Sequence, residues 1–198
     1  MQKSLFVVIE GIDRSGKSSL VAALKTSLAS HGVVADVISY PNRKNMTGML
    51  ISQVLAGDKE FTKEATHLLF SANRWEDKER IENLMQPCEY TRVILCDRYI
   101  LSGISYSIAN GIPKEFAMAS DKGMTLPDLT IFLDVSPETA SARAGFGLEI
   151  YEKKEFQQKV YTEMKCLLDK YRHTVIPSET QEEMHRIALK RILDLIAE

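Results

Sequence analysis

Short apolar runs alternate along this chain with longer stretches in which apolar residues recur at helical spacing. The apolar runs have the length of strands and cover residues 5–9, 33–38, 93–95, 129–135 and 174–176. Strands that alternate with helices form a parallel sheet with helices on both of its faces. The pattern therefore predicts an α/β fold, a five-stranded parallel sheet flanked by helices, with ligands binding outside the carboxyl ends of the strands.

Between these runs, three stretches are predicted to have different roles. Residues 62–85 are expected to form one long helix with an apolar stripe, and residues 181–197 a helix that only packs. The least regular part of the chain is 139–155, where glycines are followed by charged residues. Its portion 142–154 fits a mobile lid over a site, although a plain surface connection would have the same composition.

Composition narrows the class of protein. The chain has 198 residues, enough for one α/β domain, and 25 lysines and arginines nearly balance 27 aspartates and glutamates. This balance gives no electrostatic case for binding nucleic acid or an anionic membrane, and it favours small-molecule chemistry. Cys88, Cys96 and Cys166 are widely spaced, as is typical of reduced thiols, and the first apolar run is too short for a signal peptide. We therefore expect a single domain over residues 1–198 in a cytoplasmic or nuclear protein.

The first apolar run leads directly into a glycine-rich turn, Gly11-Ile12-Asp13-Arg14-Ser15-Gly16-Lys17-Ser18. In the spacing GxxxxGK[ST], the glycines let successive backbone N–H groups surround a phosphate at the positive end of a helix. Lys17 would reach the β- and γ-phosphates, and Ser18 would bind magnesium. The alternative is a chance turn without a nucleotide; the strand before it and the amphipathic helix after it argue for a P-loop.

A second pair of charged residues stands at the end of the third apolar run. Asp97 follows this run directly, at the position where P-loop enzymes place the acid that completes the magnesium site. It would hold the ion through water, because Mg²⁺ gives up its hydration shell reluctantly. Arg98 would bind an anionic acceptor, since a guanidinium matches two phosphate oxygens at once. A salt bridge between the two residues is the alternative.

Phe70 and Arg74 lie off the apolar stripe of the predicted long helix. Because they are separated by one helical turn, their side chains project next to each other. Such a pair can stack on a base and hydrogen-bond its edge. Taken alone, a helical phenylalanine is more often a core residue and an arginine a solvated charge. The stripe itself consists of Ala65, Leu68, Leu69 and Ala72.

In their order and spacing, several stretches of the sequence resemble the thymidylate kinase family. They are FVVIEGIDRSGKSS around the glycine-rich turn, YPNR at 40–43, LLFSANRWE at 68–76, CDRYILSG at 96–103, LPDL at 126–129 and ARAGFGLEIYE at 142–152. The resemblance covers nearly the whole chain and is strongest to the form found in eukaryotes and some large DNA viruses. It implies a P-loop NTPase-type fold that transfers the γ-phosphoryl group of ATP to thymidine monophosphate (dTMP), with Mg²⁺, giving dTDP and ADP.

The resemblance also implies how the acceptor would be bound. Phe70 would stack on the thymine, and Arg74 would bond its O4, which disfavours cytosine because that base has an amino group there. Asp13 would accept a hydrogen bond from the sugar 3′-hydroxyl. Tyr106 would pack against the sugar C2′ and select deoxyribose, with Gly103 in the same pocket.

For the phosphates, the resemblance implies that Arg43 and Arg98 clamp the acceptor, with Tyr151 and Gln157 nearby. Arg143 would lie in a lid that covers the adenine and phosphates of ATP. The implied ATP-binding residues are the glycine-rich turn from Gly11 to Ser18, then Ser19 and Arg143.

One variant of the family keeps a catalytic arginine in the P-loop, and another keeps it in the lid. Here Arg14 is in the P-loop, whereas residues 144–151 contain no arginine or lysine. The resemblance therefore assigns the charge-stabilising role to Arg14, and includes Lys17, Asp97 and Arg98 among the catalytic residues.

The family forms a homodimer through the helix that bears Phe70. The apolar stripe on this helix fits a dimer interface, but burial within one chain would leave the same pattern in the sequence.

Other classes of protein share the P-loop. A signalling GTPase would carry an Asn-Lys-x-Asp motif, which is absent from this sequence. An inactive P-loop protein serving as an interaction module would be expected to have lost Lys17, Asp97 or the arginines, and these are present. A related kinase acting on another nucleotide, such as deoxyuridine monophosphate (dUMP), is the nearest alternative.

Overall fold

The computed structural model describes residues 3–143, 147 and 149–198, and the predicted alternation of strands and helices is present in this part of the chain. The strands are β1 (Ser4–Glu10), β2 (Val34–Ser39), β3 (Arg92–Asp97), β4 (Leu129–Asp134) and β5 (His173–Pro177). They form a parallel sheet in the order β2-β3-β1-β4-β5. The predicted fold class is confirmed, and the predicted strands differ from these only at their ends.

Helices connect the strands and cover the sheet. Their bounds are α1 (Lys17–Ser30), α2 (Met46–Ala56), α3 (Lys63–Trp75), α4 (Lys78–Leu84), α5 (Ile100–Ala109), α6 (Lys114–Ala119), α7 (Pro137–Ser141), α8 (Lys154–Leu167) and α9 (Gln181–Ala197). The helix predicted over 181–197 is confirmed. Of the predicted lid, residues 144–146 and 148 lie outside the described residues.

The three central strands carry apolar side chains on both faces because helices cover both sides of the sheet. β1, β3 and β4 are buried along almost their whole length. The edge strands β2 and β5 are only partly covered. Cys96 is a buried free thiol in β3, whereas Cys88 is half-buried and Cys166 exposed, so only the first is a core residue.

The prediction of one helix over residues 62–85 is wrong, because α3 and α4 are separated by Glu76 and Asp77. The side chain of Asp77 is buried, and its Oδ2 accepts a hydrogen bond from Asn42 Nδ2 at 3.3 Å. An aspartate is unfavourable inside a helix because its carboxylate bonds to nearby groups in non-helical conformations. The chain therefore turns at this residue.

The two faces of α3 are the reverse of an ordinary amphipathic helix. Its inward residues are polar and buried, namely Thr66, His67, Ser71, Asn73 and Arg74. Its apolar stripe points outward: Ala65, Leu68 and Ala72 are exposed, and Leu69 is half-buried. Burial of the stripe within one chain, which the sequence left open, is therefore not what occurs in the described residues.

Within the described ranges, we find no helix that is both long and apolar enough to cross a membrane.

Candidate active site

The glycine-rich turn connects the end of β1 to the start of α1, as the spacing predicts. Gly11 and Gly16 have positive φ angles of 146° and 100°, and Gly16 is the residue before the first turn of α1. These angles are accessible to glycine at little cost. The side chain of Lys17 folds back into the turn, where Nζ donates to Ile12 O at 2.6 Å and to Ser15 Oγ at 3.2 Å. The turn thus encloses an ammonium group against a helix N-terminus.

The fold strongly lowers the pKa of the Lys17 side chain. Burial, together with the nearby charge of Arg98, lowers the pKa of the Lys17 ammonium to about 7, although Asp97 and Asp13 oppose this shift. A buried cation with so low a pKa is stabilised by any anion that approaches it. This arrangement favours a polyphosphate at the P-loop.

Asp97 and Ser18 meet beside the turn. Asp97 ends β3, next to β1 in the sheet, and its Oδ2 accepts a hydrogen bond from Ser18 Oγ at 2.5 Å. A hydroxyl and a carboxylate are the hard oxygen ligands that Mg²⁺ prefers, and such sites take their other ligands from phosphates and water. Among the described residues, no group of three or more His, Cys, Asp or Glu side chains could hold a metal by itself. The pair fits a magnesium ion that arrives with a nucleotide.

Arg98 forms an ion pair with Asp13 instead of with its neighbour Asp97. Its Nη2 pairs with Asp13 Oδ1, and its Nη1 donates to Gly11 O at 3.1 Å. Burial would raise the pKa of the Asp13 carboxyl, but the charges of Arg98 and Lys17 hold it below its ordinary value. Asp13 therefore remains an anionic acceptor in this part of the site.

Gln157 fixes Asp13 through hydrogen bonds to its side chain and its backbone N–H. It is fully buried in α8, its Nε2 donates to Asp13 Oδ2 at 2.7 Å, and its Oε1 accepts from Asp13 N at 3.0 Å. The hydroxyl of Tyr106 lies 3.3 Å from Gln157 Nε2, and the Arg98 guanidinium carbon lies 5.5 Å from the Tyr106 ring centroid. The polar groups of α5 and α8 thus form one network around Asp13.

Arg74 is held rigidly by an acid that the sequence reasoning missed. Both residues are buried; Arg74 Nε donates to Asp121 Oδ1 at 3.1 Å, and Nη2 donates to Asp121 Oδ2 at 2.6 Å. A two-bond pair of this kind fixes the plane of the guanidinium. Gly103 lies against that plane, because a Cβ at this position would be 2.5 Å from Arg74 Nη1. Phe70, one helical turn earlier, is half-buried beside it.

Two other arginines of the site are paired with acids from the predicted lid segment. Arg14 Nε lies 3.0 Å from Glu152 Oε1, and Arg43 Nη2 lies 2.6 Å from Glu149 Oε1. Arg143 donates from Nη1 to Arg14 O at 2.6 Å, which places it over the P-loop. Carboxylates therefore contact the same guanidinium groups that the resemblance assigns to phosphates.

Most of these groups line one cavity of about 740 Å³. Nearly every residue predicted for the site lines it, including the base-pocket pair Phe70 and Arg74. The predicted residues that do not are buried behind it, namely Gly11, Ile12, Ser15 and Gln157. The structure therefore brings the P-loop, the strand-end pair and the base pocket together.

The residues that sequence reasoning missed mostly act on the predicted ones. Asp121 lies far from Arg74 along the chain, and no local sequence pattern indicates that the two residues pair. Glu10 accepts hydrogen bonds from Tyr99 N at 2.8 Å and Ser102 N at 3.1 Å, and a charge at the end of an apolar strand was a signal that could have been noticed. Glu152, which pairs with Arg14, lies at the end of the stretch 142–152 that carries the family resemblance, and the sequence reasoning gave it no role.

Comparison with known proteins decides the family. A family model described as thymidylate kinase matches residues 9–188. The chain belongs to the thymidylate kinase family. A thymidylate kinase of Arabidopsis thaliana is 35% identical over 99% of this chain and 73% of the relative. One of Plasmodium falciparum is 35% identical over 100% of this chain and 93% of the relative.

A solved thymidylate kinase structure from Candida albicans has the same fold. It superimposes with a TM-score of 0.84 and 32% sequence identity, over 99% of this chain and 94% of the other. The thymidylate kinase family consists of enzymes that phosphorylate dTMP with ATP, giving dTDP and ADP on the route to dTTP. The predicted P-loop kinase fold and enzyme class are confirmed, and the GTPase and inactive-module alternatives are excluded.

Proposed function

We propose that ATP and dTMP react inside this single cavity, with Arg14 of the P-loop stabilising the charge on the phosphoryl group in transit. The observation that carries the proposal is that the P-loop and the Phe70–Arg74 pocket line the same cavity. A donor and an acceptor held in one space react as an aligned pair, which removes much of the entropic barrier.

On the acceptor side, Phe70 stacks on the thymine and Arg74 reads its O4. Among the described residues Asp121 engages Arg74 through Nε and Nη2, so Nη1, beside Gly103, is the nitrogen placed to donate to the base. Cytosine would present an amino donor to the same nitrogen and leave both donors unsatisfied. This geometry supports a preference for thymine and uracil bases.

For the sugar and phosphate of dTMP, Asp13 accepts from the 3′-hydroxyl and Arg98 and Arg43 clamp the phosphate. Gln157 does not line the cavity, so its contribution is to orient Asp13. Tyr106 closes the sugar site: burial raises the pKa of its hydroxyl, which therefore stays protonated and uncharged at neutral pH. Tyr151, on the cavity wall, completes this side.

On the donor side, the P-loop backbone and Lys17 hold the β- and γ-phosphates, with Arg143 above them. Ser18 and Asp97 would hold Mg²⁺, whose charge neutralises the phosphate oxygens when bound. The family generally uses Mg²⁺ with ATP, and the hydroxyl and carboxylate at 2.5 Å match that need.

The transfer itself requires no general base. A phosphomonoester has a second pKa of about 6, so the acceptor is largely a dianion at neutral pH. Catalysis is then alignment plus charge stabilisation by Lys17 and Arg14. The P-loop position of Arg14, lining the cavity beside Lys17, supports its assignment to this role.

We further infer that residues 1–198 form one kinase domain in which 142–154 closes over the substrates and excludes water. The outward apolar stripe of α3 supports a homodimer through that helix. The free thiols of Cys88, Cys96 and Cys166 are typical of the reducing cytoplasm or nucleus.

The first test is an ADP-release assay with ATP and Mg²⁺ in which each deoxynucleoside monophosphate, and thymidine, is offered separately. We expect strong turnover with dTMP, weaker turnover with dUMP and little with the others. A flat response to dTMP, or preference for another acceptor, would show that the base pocket has been assigned wrongly.

The second test is Arg14→Ala. We expect kcat to fall by about a thousandfold or more, the scale of an arginine finger in other phosphoryl-transfer enzymes, with a much smaller change in dTMP affinity. Arg186→Ala, at an exposed arginine in α9, is the matched control and should behave as wild type. Unchanged turnover in the Arg14 variant would move the role to Arg143.

A further inference from the structure

The turn that carries Arg43 is tied to α3 by one side chain, Asn73, which is fully buried. Asn73 Oδ1 accepts a hydrogen bond from Asn42 N at 2.7 Å. Its Nδ2 donates to Asn42 O at 3.1 Å and, at 2.8 Å each, to Asn45 Oδ1 and Thr47 Oγ1. A primary amide has one acceptor oxygen and two N–H donors, so every polar atom of Asn73 is used to hold this turn.

The same turn is folded tightly against the start of α2. Asn45 caps α2 by accepting from Gly48 N at 2.9 Å. A Cβ at Gly48 would lie 1.8 Å from Asn42 O, so the carbonyl that receives the Asn73 bond has no room to move in that direction. The backbone on either side of Arg43 is therefore specified by α2 and α3 together.

Arg43 depends on this backbone more than Arg74 and Arg98 do. Its side chain is 48% exposed, whereas that of Arg74 is 3% exposed and that of Arg98 is 18% exposed. Arg43 is paired with Glu149, whose side chain is 36% exposed, and so exposed a pair restricts an arginine less than burial does, so fixing Arg43 on a ligand costs entropy. Where its guanidinium can reach is then set by where its Cα lies.

We propose that Asn73 is a positioning residue for the acceptor phosphate. It fixes the backbone of residues 42–43 relative to α3, so that Arg43 meets the phosphate while Phe70 and Arg74, on the same helix, hold the base. The proposal rests on the role proposed above for Arg43. It makes α3 the element that sets the distance between base recognition and phosphate recognition.

The test compares dTMP with thymidine, which has the same base and sugar but no phosphate. In Asn73→Ala, we expect calorimetric titration to show a loss of dTMP affinity of about tenfold or more, the scale of one charge-assisted hydrogen bond. Thymidine affinity should stay within about twofold, because the contacts proposed above for its base and sugar do not involve the turn. Asn83→Ala, at an exposed asparagine in α4, is the matched control and should change neither.

The link to Arg43 is tested by a double-mutant cycle. If Asn73 acts through Arg43, Asn73→Ala should cost dTMP affinity less than about twofold once Arg43→Ala is already present. Additive losses, or an equal loss of thymidine binding, would overturn the proposal. Arg43→Ala alone tests the underlying role: unchanged dTMP affinity there would refute the phosphate clamp itself.

Thermal unfolding of each variant shows whether the fold is kept. If Asn73→Ala does not fold, Asn73→Ser, which replaces the amide by a smaller polar group, a hydroxyl, is carried through the same dTMP and thymidine titrations. The selective loss of dTMP binding is the result that supports the proposal in either variant, and parallel losses of both ligands contradict it.

Discussion

At the scale of single residues, the site is built from buried charges whose partners are fixed. Arg74 is held by Asp121, and Arg98 by Asp13. Lys17 differs from these arginines because its Nζ donates to uncharged oxygens, Ile12 O and Ser15 Oγ. A buried ammonium without a directly bonded carboxylate loses part of its preference for the charged state. Its ionisation should therefore respond to substrate.

We predict that ATP affinity falls as the pH rises from 7.5 to 9. The pKa of Lys17 is lowered to about 7 in the protein without ATP, so in this range its side chain is largely the neutral amine. Bound phosphates favour the protonated form, so binding must take up a proton, and the dissociation constant should rise by up to about tenfold per pH unit. Calorimetry in buffers of different ionisation enthalpy measures this uptake.

Lys17→Arg provides the control for that measurement, because an arginine stays protonated throughout the range. Its ATP affinity, whatever its absolute value, should show no proton uptake. A wild-type affinity that is flat from pH 7.5 to 9 would mean that the ammonium stays charged in the free protein.

At the scale of elements, the site depends on how strand ends join helix starts. Glu10 ends β1, yet its carboxylate lies at the start of α5, where it accepts hydrogen bonds from Tyr99 N and Ser102 N. A carboxylate at a helix N-terminus satisfies free N–H groups and interacts well with the helix dipole. Arg98, with a positive φ of 67°, directly precedes Tyr99, the N-cap residue of this helix. Glu10 thus fixes the junction from which Arg98 projects.

We predict that Glu10→Gln lowers the free energy of unfolding by about 1–3 kcal/mol at pH 7, because it weakens hydrogen bonds made to a buried charged group. Urea unfolding measures the loss. Glu115→Gln, in the exposed first turn of α6, should change stability much less. Burial raises the pKa of Glu10, so equal stability of wild type and Glu10→Gln would indicate that the carboxyl is already neutral in the folded protein.

At the scale of the whole molecule, α3 presents an exposed apolar face on its outside and lines the site on its inside. Its inward face supplies Phe70, Asn73 and Arg74, and its outward face is apolar and exposed, with Leu68 at 47% exposure. The helix has Glu64 in its first turn and Glu76 at its C-cap. Between these charges, the exposed apolar stripe is costly to leave in water. Covering it with a second copy would also stiffen the helix that orients the base pocket.

We predict that Leu68→Glu converts a dimer into a monomer, since the two introduced carboxylates, one from each copy, would otherwise have to be desolvated between the paired helices. Light scattering after size-exclusion chromatography measures the mass. Leu126→Glu, at a position that is 66% exposed outside α3, should leave the mass unchanged. A monomeric wild type would refute the interface directly.

Much of the fold was determined by local sequence alone. The apolar runs defined all five strands, and the spacing from Gly11 to Ser18 defined the P-loop, because both depend on residues close together in the chain. The off-stripe positions of Phe70 and Arg74 likewise marked the cavity side of α3. The end of α3 was missed because the chain turns at Asp77, whose carboxylate accepts a hydrogen bond from Asn42, a residue of another segment.

What only the tertiary structure decided is which charges pair and which faces are buried. Arg98 could have paired with its neighbour Asp97, but the sheet order places Asp97 beside Ser18 and brings Asp13 to Arg98. Asp121 reaches Arg74 because α5 packs against α3 and α6 contacts α3 through Phe116 and His67. Pair energies depend on distance and burial in space, which a linear sequence does not contain. The sequence therefore named the functional groups, and the packing of the sheet and helices assigned their partners.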